Sequence, residues 1–240
     1  MCYFVEQNIQ RKELEQRFGV KMPEDPRYTP GYFHSAFSRP YLPVITTSKP
    51  GEIELFQWGL IPSWVRDEDT AEKIRSGTYN AKSETAWEKP SFRNSIRHKR
   101  CLVLTHGFFE YHTAGNLKIP YYIKLKNDQI FAFAGLFDTW TNPTTGEIHK
   151  TFSILTTSAN PLMEKIHNLK KRMPVILPTD KEFEWIGESR GKPEVEAYLK
   201  PFPEDQLTAH PVSRKISSRD FDIKDPGLIE YFDYGIKDLL

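Results

Sequence analysis

The chain has 240 residues, of which 38% are hydrophobic and 27% charged. That is an ordinary globular composition, long enough to bury one sizeable core, and it excludes a disordered or collagen-like chain. Lys and Arg number 33 against 32 Asp and Glu, a formal net charge of +1, so a polyanionic partner can be met only by a local basic face.

In chain order, the first residues (MCYFVEQNIQRKELEQRF) turn charged at once. They lack the apolar stretch of a signal peptide, and no apolar run approaches the roughly 20 residues that span a bilayer. A soluble, cytoplasmic protein with no membrane partner is expected. A helix is expected from an Asn8 cap to about Phe18, stopped by Gly19. Residues 21 to 50, rich in proline and aromatics, read as extended chain ending in a strand at Val44–Thr46. Residues 52 to 60 (EIELFQWGL) alternate as a half-buried strand. Asp67, Glu68 and Asp69 fall in a loop or short helix, and residues 83 to 100 read as helical despite Pro90, with Ser83 as cap.

Strand signals dominate from 101 to 157, in CLVLT, GFFEYH, PYYIKL, QIFAFAGLF and TFSILTT. Asn160 to His167 reads as a helix, PVILP as a buried strand, and the last sixty residues as short amphipathic helices between prolines. Strands with helices between them, without regular βαβ alternation, predict an α+β fold on an antiparallel, barrel-like sheet flanked by short helices. One domain is expected over 1–240, with a core of about 2–216 and a helical extension of about 217–240.

Four places carry chemistry. Cys2 becomes the N-terminal residue when Met1 is removed, which puts an α-amine and a thiol on one residue. Such a 1,2-aminothiol takes an aldehyde as a Schiff base and then closes a thiazolidine. A frayed terminus is the structural alternative. Asn80 in YNAKSE sits at a loop-to-helix junction, where it could orient an aldehyde-derived oxygen or a phosphate, or merely satisfy backbone groups of a turn. Glu110 in GFFEY is either a carboxylate buried for proton transfer or the solvent face of an alternating strand. His167 precedes NLKKR and could act as an acid or base near neutral pH, although lone histidines are more often structural. The two cysteines, Cys2 and Cys101, have no paired spacing, so neither a disulfide framework nor a zinc site is expected. Cys101 reads as core. Residues 89 to 100 (KPSFRNSIRHKR) hold five Lys/Arg and no acid. Beside Trp58 and Trp64 they suggest phosphate contacts with base stacking, or a charged helix face over core tryptophans.

Met-Cys, WGLIPSW, YNAKSET, KRCLVLTHGFFEY, PYYIKL, FAFAGLFDTW, FSILTTSAN, IH…RMPVIL and HPVS together, in this order, resemble the SOS response-associated peptidase (SRAP) family. The resemblance runs from Met1-Cys2 to about Ile216. It implies an abasic-site processing protein, in which Cys2 cross-links to the ring-opened sugar of an abasic site in single-stranded DNA, including single/double-strand junctions. A lyase-type activity with reversal is implied, and no cofactor. Asn80 would hold the sugar-derived oxygen, Glu110 would shuttle protons, and His167 would assist ring opening and release. Trp58, Trp64, Lys82, Arg39, Lys170, Lys171 and Arg172 would contact DNA, and the protein would act as a monomer. A cysteine peptidase that removes Met1 is the alternative that the family's name suggests, and a non-covalent binder of modified DNA is a third.

The chain departs from the family pattern in three places. Tyr3-Phe4 follows the cysteine where Gly-Arg is common, removing one phosphate contact. Lys82 stands where Arg is usual, keeping charge but losing the two-pronged geometry. Four residues separate His167 from Arg172, more than usual, which shifts the expected phosphate grip toward Lys170 and Lys171.

Overall fold

The computed structural model describes residues 2–188, 191–218 and 221–236. In chain order it builds β1 (Phe4–Gln7), α1 (Arg11–Phe18), β2 (Gly31–Ser35), β3 (Tyr41–Thr46), β4 (Lys49–Trp58), α2 (Glu68–Arg75), β5 (Asn80–Lys82) and α3 (Ser95–His98). Then come β6 (Arg100–Thr105), β7 (Gly107–Ala114), β8 (Leu117–Leu125), β9 (Phe131–Thr141), β10 (Ile148–Ser158), α4 (Pro161–Ile166) and β11 (Arg172–Pro174). The short helices α5 (Glu182–Trp185) and α6 (Lys192–Ala197) precede a last strand, β12 (Leu207–Pro211).

The strands form two sheets. In one, β10, β4, β3, β6 and β9 pair in succession, and β9 pairs back onto β10, closing a five-strand barrel. The barrel-like sheet expected from the sequence is therefore present. Its seam between β10 and β4 is parallel rather than antiparallel, as is the pairing of β5 with β10. Closure demands close approach at Gly135, where an added Cβ would lie 2.7 Å from Cys101 Sγ and from a Val103 methyl. Cys101 is fully buried there, as core. The second sheet is antiparallel, in the order β12-β8-β7-β1-β2. It places β1 between β2 and β7, with Phe4 opposite both Ser35 and Phe109. One core cluster joins the two sheets: it contains Val5 and Phe108 from the second sheet, Cys2 just before it, and Trp58, Phe133 and Phe152 from the barrel.

Several elements differ from expectation for identifiable reasons. Helix α1 begins at Arg11, because Gln10 and Glu13 cap its first turn reciprocally rather than Asn8. Gly19 does end it, in a left-handed conformation (φ 67°). Asp67 accepts from Thr70 N and starts α2. Residues 83 to 94 form successive turns, and only α3 is helical. Pro90 has no N–H and disfavours helix at the residue before it. The strand read in PVILP starts earlier, at Arg172, and continues only as a bridge from Ile176 to Phe133. Strand β12 was not legible, since LTAHP is short and half-buried. Among the described residues beyond 216 there is no α-helix. A 3-10 turn at Pro226–Leu228 and a bridge from Val212 to Tyr231 replace the expected extension, whose residues 237–240 lie outside the described ones. Among the described residues no helix is long and apolar enough to cross a membrane.

Candidate functional site

Cys2 lies two residues before β1, fully buried, and its Sγ donates to Phe4 O at 3.7 Å. Met1 itself lies outside the described residues. Burial, reinforced by the Glu110 carboxylate, pushes the Cys2 thiol far up. Asn80 opens β5 on the barrel. Its Nδ2 donates to Cys2 O at 2.8 Å, while its buried Oδ1 has no hydrogen-bond partner among the described residues. The amide therefore fixes the main chain of Cys2 and keeps one acceptor in reserve.

Glu110 sits on β7 facing the barrel. Phe108 and Glu110 share one face of the strand and Phe109 turns to the other, and β1 covers the strand from the side. The carboxyl is 5% exposed, and burial pushes it up to about 7, against the pull of Lys170 and a backbone hydrogen bond. His167 caps the C-terminus of α4, with Nδ1 3.8 Å from Glu110 Oε1. The same Nδ1 donates to Arg172 O at 2.9 Å. A carbonyl can only accept, so Nδ1 carries the hydrogen and Nε2 is the basic nitrogen of the neutral ring. Burial, with the charges of Lys170 and Arg172, holds the imidazole down to about 4. The four residues between His167 and Arg172 fold into a turn in which both Lys170 N and Lys171 N donate to His167 O. The longer spacing thus returns the Arg172 carbonyl to the imidazole.

Glu110 and His167 border a cavity of about 420 Å³ that is lined also by Tyr3, Phe37, Tyr111, Lys118 and Lys170. Cys2 and Asn80 are buried beside that pair, Cys2 close enough to feel the Glu110 carboxylate, but do not line the cavity themselves. The structure thus brings Cys2, Asn80, Glu110 and His167 together from four distant segments. Sequence reasoning missed Asn168, whose side chain makes a two-point clamp onto β7: Oδ1 accepts from Thr113 N at 3.1 Å and Nδ2 donates to Thr113 O at 2.8 Å. That clamp seats the end of α4 against the strand carrying Glu110. It missed Phe37 as well, whose exposure in an irregular segment has no periodic signature. Among the described residues no group of three or more His, Cys, Asp or Glu is arranged to hold a metal ion.

Two of the expected DNA contacts, Trp58 and Arg172, need correction. Trp58 is fully buried, stacked on Phe152, with its Nε1 donating to Tyr79 O. It is core and cannot stack on a base. Arg172 is committed to Glu84 and to Thr156 O, which leaves its guanidinium serving the β10–β11 edge. Arg39 pairs with Glu72, and Lys171 with Glu164 at 3.3 Å. Within the basic stretch 89–100, Lys99 pairs with Asp138, and buried Arg100 donates to Trp185 O and Gly187 O. Trp64, Lys82 and Lys170 are exposed.

Comparison with known proteins places this geometry in a lineage. The family model described as SOS response associated peptidase (SRAP) matches residues 1–219. The abasic site processing protein YoqW of Bacillus subtilis is 38% identical over 210 residues, covering 86% of this chain and 89% of its own. The abasic site processing protein HMCES of Gallus gallus is 32% identical over 181 residues, 68% of this chain and 53% of its own. A crystal structure of a Bacteroides thetaiotaomicron protein matches at a TM-score of 0.89 with 38% identity, over 96% of this chain and 100% of its own. The chain belongs to the SOS response-associated peptidase family.

Proposed function

We propose that this protein captures abasic sites in single-stranded DNA by bonding covalently through Cys2. The observation that carries the reading is the meeting of Cys2, held by the Asn80 amide, with the Glu110 carboxylate, which with His167 opens onto a cavity. The names of the relatives, abasic site processing proteins, support it.

Removal of Met1 leaves a free amine on Cys2. The α-amine, with an ordinary pKa near ~7.7–8.0, is partly neutral at physiological pH. It adds to the C1′ aldehyde of the ring-opened deoxyribose, giving a carbinolamine. The hydroxyl then leaves as water with a proton from Glu110, whose pKa of about 7 keeps a useful fraction protonated. The thiol adds across the resulting imine, its sulfur bonding to C1′ and its proton passing to nitrogen, which closes the thiazolidine. His167 opens the sugar by accepting the C1′ hydroxyl proton at Nε2 as the C1′–O4′ bond breaks and by passing that proton to O4′, which leaves the C1′ aldehyde and a 4′-hydroxyl. The reverse sequence releases the DNA. The spare Oδ1 of Asn80 accepts a hydrogen bond from the sugar hydroxyl. The site acts on single strands and strand junctions, as a monomer, in the cytoplasm on nucleoid DNA.

A cysteine peptidase is the competing reading, and the site favours it less. Such an enzyme lowers its thiol pKa beside an imidazole, whereas burial raises that of Cys2 and its Sγ faces Phe4 O. The test is a denaturing gel of protein incubated with a single-stranded oligonucleotide holding one abasic site. A shifted band is expected for the wild type and is expected to vanish in Cys2→Ala and in a form with Met1 retained. No wild-type band, or a band that survives with Met1 in place, overturns the reading.

A further inference from the structure

We infer that Tyr3 and Phe37 form a stacking platform for the nucleobase next to the abasic sugar, so that π contact replaces part of the phosphate grip. The inference rests on the reading that the cavity receives abasic DNA. Phe37 is 60% exposed, yet its ring is held. It stacks on Tyr3 at 5.2 Å and 27° and meets Tyr79 edge-on at 5.6 Å and Phe4 at 6.1 Å. Its backbone lies in a pinned turn: Ser35 Oγ accepts from Phe37 N, Arg39 N donates to Ala36 O, and Ala36 N donates to Tyr3 O. A single exposed apolar side chain is unremarkable on a protein surface. This one is braced by three other rings and lines the same cavity as Glu110 and His167.

Tyr3 follows Cys2 directly, so the platform's distance from the nucleophile is fixed by one peptide unit. An abasic nucleotide has lost its base, which leaves its neighbour without a stacking partner, and an aromatic ring at the cavity mouth supplies one. Every base has a π face, so the contact tolerates sequence, with purines offering the larger area. Charge points the same way: Arg39 and Arg172 are engaged with Glu72 and Glu84, leaving Lys118 and Lys170 as the cations bordering the cavity.

The test measures equilibrium binding to a single-stranded oligonucleotide carrying tetrahydrofuran in place of the abasic sugar, which has no aldehyde and cannot cross-link. Two probes are compared, one with adenine on both sides of the analogue and one with those neighbours also replaced by tetrahydrofuran. Phe37→Ala is expected to bind the adenine probe roughly tenfold more weakly, a typical loss for one base–aromatic stack. Phe37→Trp is expected to keep the affinity. On the probe lacking neighbouring bases, Phe37→Ala and wild type are expected to converge. Unchanged binding of the adenine probe by Phe37→Ala, an equal loss on both probes, or no binding of either probe by wild type overturns the platform. A wild type that shows the base-dependent loss yet forms no cross-link with true abasic DNA overturns the covalent reading and leaves the platform standing.

Discussion

At the scale of single residues, the site separates its titrating groups by environment. Burial lifts Glu110 to about 7 and holds His167 down to about 4, so near neutral pH one is half acid and the other a neutral base. Glu110→Gln is expected to slow adduct formation by roughly 10²-fold, the usual worth of a placed acid. Wild-type rates are expected to rise with the neutral amine up to about pH 7, level off while Glu110 ionises and fall above about pH 8, and the variant to keep rising to the amine pKa without the fall. Rate measurements from pH 5 to 9 check both. Stability moves with the same proton. A carboxyl whose folded pKa lies above its ordinary value binds more protons folded than unfolded, so its contribution falls as pH rises from about 4.5 to about 7. Thermal melts of wild type and Glu110→Gln at pH 4.5 and pH 8 are expected to show the variant gaining relative stability at the higher pH. Buried Glu182, also raised to about 7, leaves a residual slope in both proteins. From sequence, the apolar setting of Glu110 was visible but its side of the strand was not. Both faces of GFFEY are aromatic, so alternation cannot choose between them, and the choice is made by the packing of β7 onto the barrel.

At the scale of elements, the site depends on seating α4 against β7 and β1 against β5. The Asn168–Thr113 clamp does the first and the Asn80–Cys2 bond the second. Asn168→Ala is expected to lower the capture rate about tenfold, because a small displacement of His167 spoils proton transfer. Single-turnover kinetics beside thermal melts check this, since the clamp is half exposed and its loss is expected to move stability little. Trp58 belongs here rather than with the ligand contacts. Its Nε1 holds the carbonyl of Tyr79, the residue before Asn80. Trp58→Ala is expected to cost about 3–5 kcal/mol, read by denaturant unfolding. The strands β3, β4 and β6 to β10 and the helix from Asn160 were legible because each carries a local signal, apolar alternation or a capping side chain. Strands β1, β2 and β5 were not legible as strands, and Asn80 stood at an expected loop-to-helix junction. Helix α1's start, β12 and the turns at 83–94 were not legible either, because tertiary pairing and one proline outweigh local propensity there.

At the scale of the molecule, a closed barrel and an open antiparallel sheet share one core, and the cavity lies where β1, β7 and the end of α4 meet. No run of sequence announces that meeting, which is why Cys2 reads as a terminal residue until Asn80, Glu110 and His167 are placed around it. The central claim is that Cys2, freed of Met1, traps an abasic aldehyde as a thiazolidine. Intact mass spectrometry of the adduct, before and after borohydride treatment, tests it most directly. The expected mass is that of protein without Met1 plus the oligonucleotide less one water, unchanged by borohydride because no imine remains. An adduct that retains Met1, or one that gains two hydrogens on reduction, contradicts the claim.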